Sequence, residues 1–266
     1  MSVICQPIIS TKSLLEANAL LLLAYMSIAW LIAKKRNRLD TVDVAWGLGF
    51  VLVAWVTALA SPTKRSYLVA GLVSVWGLRL ALHIGARARR KGEDPRYEAL
   101  TKNWKGNRWL RAYLSIFLLQ GVLIWIVGLP IVFAAAPHTK NTEWLAIAGV
   151  VIWFTGFAVE ATADRQLAIF LKQKNHPKLL QTGLWRYSRH PNYFGEILQW
   201  WGIGAIGLGA RYGGLALIGP LLLTVLIVFV SGIPPIEKRR AKDKDYQAYK
   251  QRTSALILWP PKRPRA

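Results

Sequence analysis

One cysteine, Cys5, in 266 residues leaves no disulfide framework and no cysteine-built metal site, and no metal centre is expected. Carboxylates are also scarce: 13 acidic residues stand against 35 lysines and arginines, a net charge of +22. The first ten residues lack the basic stretch and small-residue cleavage site of a signal peptide, so the first apolar run is expected to stay in the protein. There is no internal repeat, no low-complexity segment and no matched pair of broken half-helices, which counts against a transporter. The positive charge does not point to nucleic acid either, because the basic residues are dealt out between apolar runs.

What the chain has is apolar length. Apolar residues make up 53% of it, with 13 tryptophans. Seven runs are long enough to span a bilayer, at 14–33, 41–61, 66–86, 110–135, 143–162, 193–210 and 212–232. They predict an all-α, polytopic membrane bundle of seven helices, a single domain over 1–266, with a tail from 236 onward. Assigning the loops alternately to two sides places 29 basic residues on one side and five on the other (Lys12, Lys64, Arg65, Lys140 and Arg211), with Arg79 inside a span. By the positive-inside rule the N-terminus is outside and the C-terminus cytoplasmic. Membrane lipids are then one partner of the chain.

Ionisable residues within spans mark a bundle interior, a wet cavity or a ligand. Glu16 and Asn18 near the outer end of the first span are assigned no chemistry. Asp43 sits one turn into the second span, where it either favours the positive helix end or points into the bundle as an acid or acceptor. Arg79 and His83 share a face of the third span; Arg79 needs a carboxylate such as Asp43 or Glu160, or a ligand phosphate, and His83 is expected to make a core hydrogen bond. The charged loop that follows, with Glu93, Asp94, Arg96 and Tyr97, has the length of a lid. Glu160 and Asp164 lie at helical spacing at the end of the fifth span. Beyond them Leu167, Phe170 and Leu171 alternate with Lys172 and Lys174, which predicts a short interfacial helix. The seventh span ends at Ile233-Pro234-Pro235, a helix stop or kink. A basic amphipathic helix and an extended apolar segment close the chain, with Arg239 or Arg240 and Tyr246 expected over the same cytoplasmic mouth.

The densest signal is TGLWRYSRHPNYFGEILQWWG, residues 182–202. Arg186, Arg189 and His190 precede Pro191, which suits a first helical turn, and Asn192 and Glu196 follow four residues apart on one face. A helix start flanked by arginines suits an anionic ligand, since free N–H groups and forked guanidiniums both bind phosphate oxygens. Taken with Glu160 and Asp164, the pattern predicts a pocket open to the cytosol where a soluble cofactor meets a lipophilic substrate.

That core, with the upstream carboxylates and the closing DYQAYKQRTSALILWPP, resembles the steroid 5-alpha-reductase-like membrane proteins, in particular their bacterial branch, over roughly residues 40–262. The resemblance implies a seven-span inner-membrane protein that holds NADPH and reduces the carbon–carbon double bond of an enone. It places Glu160, Asp164, Arg186, Tyr187, Asn192 and Glu196 at cofactor positions, with Arg79 and Arg90 as further cofactor arginines. Arg165, Lys172, Arg189, His190, Tyr193 and Arg239 complete the set by proximity to the motif. The steroid reductases carry a Gln-Glu pair in the second span and a tyrosine in the third to grip the carbonyl. This chain has AWGLGF and Trp76 there, so Asp43 and Tyr97 are the substitutes considered for catalysis. Variants of the RHPxY core also occur in isoprenylcysteine carboxyl methyltransferases, which use S-adenosylmethionine; the abundance of arginine favours NADPH over that alternative.

Overall fold

The computed structural model describes residues 9–90, 92–139 and 141–262, apart from the side chains of Arg87, Arg89 and Arg90. Cys5, Lys140 and the side chain of Arg90 thus lie outside the described residues. Among the described residues every regular element is helical, and two isolated bridges, His138 with Ala210 and Ser188 with Ser254, are the extended pairings. The longer helices are α1 (Thr11–Arg36), α2 (Thr41–Ala60) and α3 (Lys64–Arg90), followed by the short α4 (Pro95–Thr101) and α5 (Arg108–Ala112). A π-helical turn, Tyr113–Leu118, then leads into α6 (Leu119–Val127) and α7 (Leu129–Ala135). After α8 (Glu143–Lys172) and α9 (Pro191–Leu208) come α10 (Ile218–Val225), a second π-helical turn at Leu226–Val230, α11 (Ile233–Arg239) and α12 (Lys244–Arg252).

Six helical stretches among the described residues are long and apolar enough to cross a membrane: Thr11–Arg36, Thr41–Ala60, Lys64–Ala86, Arg108–Ala135, Glu143–Lys172 and Gly213–Arg239. The sixth of the seven expected runs became α9, an 18-residue helix that is not among these six; it carries Asn192, Glu196 and Gln199. One local expectation is corrected. No separate interfacial helix follows the fifth run, because α8 continues unbroken for 30 residues to Lys172. The segment 161–168 is rich in alanine and contains neither glycine nor proline, so nothing stops it. At 1.5 Å per residue α8 is roughly 45 Å long against about 30 Å of hydrocarbon, so its last turns project beyond the apolar layer. The helix of the seventh run ends at Val230, before a bend at Ser231 and Gly232, and Pro234 and Pro235 then occupy the first turn of α11, where a missing N–H costs nothing.

Backbone contacts divide the chain into two compact units, Met1–Ala146 with Ile206–Gly219, and Ile147–Ala205 with Pro220–Ala266. In the first, α2 meets α3 through glycine: a Cβ on Gly47 would lie 2.8 Å from the carbonyl oxygen of Gly77, and one on Gly77 2.7 Å from that of Gly47. Asn18, given no role from sequence, is buried and donates to Thr57 Oγ1 at 2.9 Å, tying α1 to α2. His83, expected in the core, is exposed instead. His83 lies seven residues beyond the buried Trp76 on the same helical face, so it is exposed because the packing of that stripe does not extend to its level, not because it points elsewhere.

In the second unit α8 and α9 touch backbone to backbone at two points. Gly156 faces Gly195 and Gly149 faces Gly202; a Cβ on Gly156, Gly195 or Gly202 would lie 2.5 Å from the opposing carbonyl oxygen. Seven-residue spacing on both helices keeps the two contacts on one seam. Inside hydrocarbon, where water expulsion gives no drive, such close packing is the main source of helix association. Gly195→Ala should therefore cost about 1–3 kcal/mol through overpacking. Gly71→Ala on α3, with nothing within 4 Å of the new carbon, should be neutral or stabilising by up to ~1 kcal/mol. Thermal unfolding of both variants in detergent checks the contrast.

Candidate functional site

The glycine seam fixes what lies one turn beyond it. Glu160 of α8 is buried at 4% exposure and accepts a hydrogen bond at 2.5 Å from Nε2 of Gln199, itself 1% exposed, on α9. Gln199 was not anticipated; only its position four residues after Gly195 links it to the seam. Its Oε1 is buried without a hydrogen-bond partner. Asp164, Asn192, Tyr193 and Glu196 are half-buried further along the same helices, and Asp164, Tyr193 and Glu196 are each engaged with neighbours.

Arg189 and His190 sit immediately before Pro191 at the start of α9, and both are buried. The guanidinium of Arg189 is fully engaged: Nε and Nη2 donate to Glu237 Oε1 at 3.0 and 2.6 Å, while Nη1 donates to the carbonyl oxygens of Lys250, at 3.0 Å, and Thr253. Lys250 Nζ closes the group on Glu237 Oε2 at 2.6 Å. Glu237 gives no signal in the sequence, being one of several charges in a basic run. The ring of His190 stacks on Tyr193, with centroids 5.7 Å apart, and its Nε2 lies 3.8 Å from Glu237. Burial pushes its pKa down to about 4, so the ring is neutral at pH 7.

The same clasp seats the closing segment. Ser188 Oγ donates to Leu256 O at 2.7 Å, Arg189 N to Ser254 O at 2.9 Å, Trp259 N to Tyr187 O at 3.2 Å and Lys262 N to Arg252 O at 2.9 Å. Opposite runs the turn Gly183–Arg186. Gly183 adopts φ +59, and a side chain there would collide with Gln166, whose Oε1 accepts from Leu184 N at 3.0 Å. Between turn and segment opens a cleft of about 560 Å³, bordered by Arg186, Arg252 and Lys262 together with Thr182 and Thr253. No carboxylate lines it among the described residues, and Gln181 steers Arg252 by accepting a hydrogen bond from its Nη2. Arg165, Lys172, Tyr187 and Arg239 are exposed and do not line this cleft. Arg240, rather than Arg239, lies over the ring of Tyr246, 5.5 Å from its centroid.

In the first unit α4, which carries Arg96 and Tyr97, is strapped to the start of α2. Tyr97 Oη donates to Asp43 Oδ1 at 2.5 Å, and Arg96 Nη2 to Asp43 Oδ2 at 2.7 Å. Asp94 caps α4, accepting from Arg96 N at 2.9 Å. Burial first, and the Asp43 carboxylate second, push the Tyr97 hydroxyl far above its ordinary pKa, so it keeps its proton. A second knot lies beside it: Arg38 forks onto Asp40 at 3.0 and 2.6 Å, and Glu93 accepts from Leu39 N at 2.5 Å and from Arg108 at 3.1 Å. The two residues singled out for catalysis are thus joined, and the expected lid is a tethered loop. Arg79, half-buried on α3, is engaged with a neighbour.

Two outcomes follow from the clasp. Removing one partner of a buried, hydrogen-bonded ion pair costs about 3–5 kcal/mol. Arg189→Ala should therefore lower the thermal midpoint of the ligand-free protein, as a residue serving only a ligand would not. The His190 pKa is below its unfolded value of about 6.5, so the unfolded chain binds more protons between pH 6.5 and 4. Stability should fall as pH drops through that window, by on the order of 2–3 kcal/mol. His190→Gln should flatten that slope in denaturant titrations at stepped pH.

A family model described as "Protein of unknown function (DUF1295)" matches residues 29–253. "Steroid 5-alpha-reductase DET2" of Gossypium hirsutum is 38% identical over 60 residues, which is 22% of this chain and 23% of that protein, so the match spans about a quarter of the relative's length. No solved structure matches. With the family model covering most of its length, the chain belongs to the DUF1295 family of steroid 5-alpha-reductase-like membrane proteins.

Proposed function

We propose that this chain is an NADPH-dependent membrane reductase that saturates a carbon–carbon double bond conjugated to a carbonyl in a lipophilic substrate. The observation that carries the reading is the basic cleft of the second unit: Arg186, Arg252 and Lys262 with two threonines and no carboxylate, in about 560 Å³. NADPH brings a diphosphate and a 2′-phosphate, and this donor set suits them. S-adenosylmethionine has no phosphate and carries a sulfonium cation, so the same residues would repel it. In this reading Asp164, Asn192 and Glu196 meet ribose hydroxyls or amide groups, and Glu160 positions Gln199, whose free Oε1 is an acceptor in waiting. Arg189 acts indirectly, by seating the segment that carries Arg252 and Lys262. A seventh span formed by α9, and a cytoplasmic C-terminus, belong to the same proposal.

When bound, the reduced nicotinamide supplies hydride to the beta carbon of the enone. The protein's part is alignment, exclusion of water and control of one proton. We assign that proton to Tyr97 Oη, held against Asp43 at 2.5 Å. Passed to the substrate oxygen as the beta carbon takes its hydride, it would give the enol, which tautomerises to the saturated ketone while Tyr97 is reprotonated from water.

Two measurements test the proposal. In a fluorescence titration of the purified protein, NADPH should bind with micromolar affinity, and Arg186→Gln should weaken binding about tenfold, the loss of ~1.4 kcal/mol. S-adenosylmethionine should not compete; tight binding of that compound with no response to NADPH would move the assignment to methyl transfer. In NADPH-consumption assays with lipophilic enones, Tyr97→Phe should lower kcat by about 10²–10⁴-fold at unchanged NADPH affinity. Full turnover in both Tyr97→Phe and Asp43→Asn would remove the pair from the chemistry.

A further inference from the structure

We infer that the first unit carries a separate site for a single-chain amphiphile with an anionic head group, in the groove between α1, α2 and the end of α3. The groove encloses about 340 Å³. One wall is Ile28, Ala29 and Ile32 of α1, at helical spacing on one face; Val44 and Leu48 of α2 form the other. Ile28 and Ile32 are 57% and 46% exposed on a helix of membrane-spanning length, so the groove opens sideways to hydrocarbon. Its volume lies near the lower end of the ~300–1,000 Å³ typical of ligand cavities, which suits one hydrocarbon chain rather than the two of a bilayer phospholipid.

The other end of the groove is polar and sets the head group. Arg36, Arg38, Asp40 and Thr41 border it. Arg38 is not free to follow a ligand: beyond its fork onto Asp40 it donates to the carbonyl oxygens of Ala88 and Gly92 at 3.0 and 3.1 Å. Among the described residues the Arg38–Asp40 pair neutralises itself, leaving the exposed Arg36 as the unbalanced charge bordering the groove, with Thr41 at the same end. One cation at the end of an apolar slot matches one anion at the end of an apolar chain, a carboxylate or a phosphate monoester.

The test uses the full chain in detergent and displacement of a fluorescent fatty acid by three probes: oleate, a lysophosphatidic acid and monoolein. Both anionic probes should displace it at least tenfold better than monoolein, and the stronger of the two identifies the source as a fatty acid or a lysophospholipid. Arg36→Gln should erase that preference, and Ile28→Trp, which narrows the groove, should weaken all three. Both positions are exposed, so neither variant threatens the fold, and NADPH affinity should be unchanged in both. Monoolein binding as tightly as oleate, or an Arg36→Gln protein that keeps its preference for anions, would overturn the inference.

Discussion

A single buried guanidinium, that of Arg189, organises the functional end of the second unit. It is anchored on Glu237 and spends its remaining donors on two backbone carbonyls of the closing segment. In an environment that strengthens electrostatics, such a group is stable only if it is well matched by acceptors, and here all three of its nitrogens are engaged. The geometry that follows is imposed from there. Ser254, Leu256 and Trp259 dock against the turn before α9, and the side chains of Arg186, Arg252 and Lys262 are left bordering one cleft.

A motif rich in arginine thus divides its labour. Arg186 and Arg189 stand three residues apart, yet one is exposed in a cleft and the other is buried in a clasp. Sequence alone treats them alike, because what separates them is the company of Glu237 and of carbonyls 61 and 64 residues distant. Backbone acceptors leave no mark in a sequence, so the clasp could not be read there. Glu237 was equally hidden, since a lone carboxylate among lysines reads as surface charge.

Other features were legible for definite physical reasons. Long apolar runs bounded by charge identified the spans, and they fell short only where polar residues interrupted the pattern in α9 or where nothing stopped α8 at the membrane edge. Asp43 and Tyr97 were selected separately, one as a carboxylate at depth and the other as a loop phenol, and the structure joins them at 2.5 Å. The buried Glu160 was visible as an intramembrane acid, but its partner Gln199 was not, because an amide within an apolar helix is unremarkable until the glycine seam places it. His83 failed the expectation of burial although it shares a face with the buried Trp76, because helical spacing says which residues align without saying how far along the helix the packing extends.

The central claim is that the cleft bordered by Arg186, Arg252 and Lys262 receives a phosphate-bearing nucleotide. Mass spectrometry of the small molecules that co-purify with the protein in mild detergent tests it most directly. The account predicts a nicotinamide dinucleotide bearing the 2′-phosphate, lost from the Arg186→Gln, Arg252→Gln double variant. Recovery of S-adenosylmethionine, or of the same dinucleotide in equal amount from that variant, would contradict it.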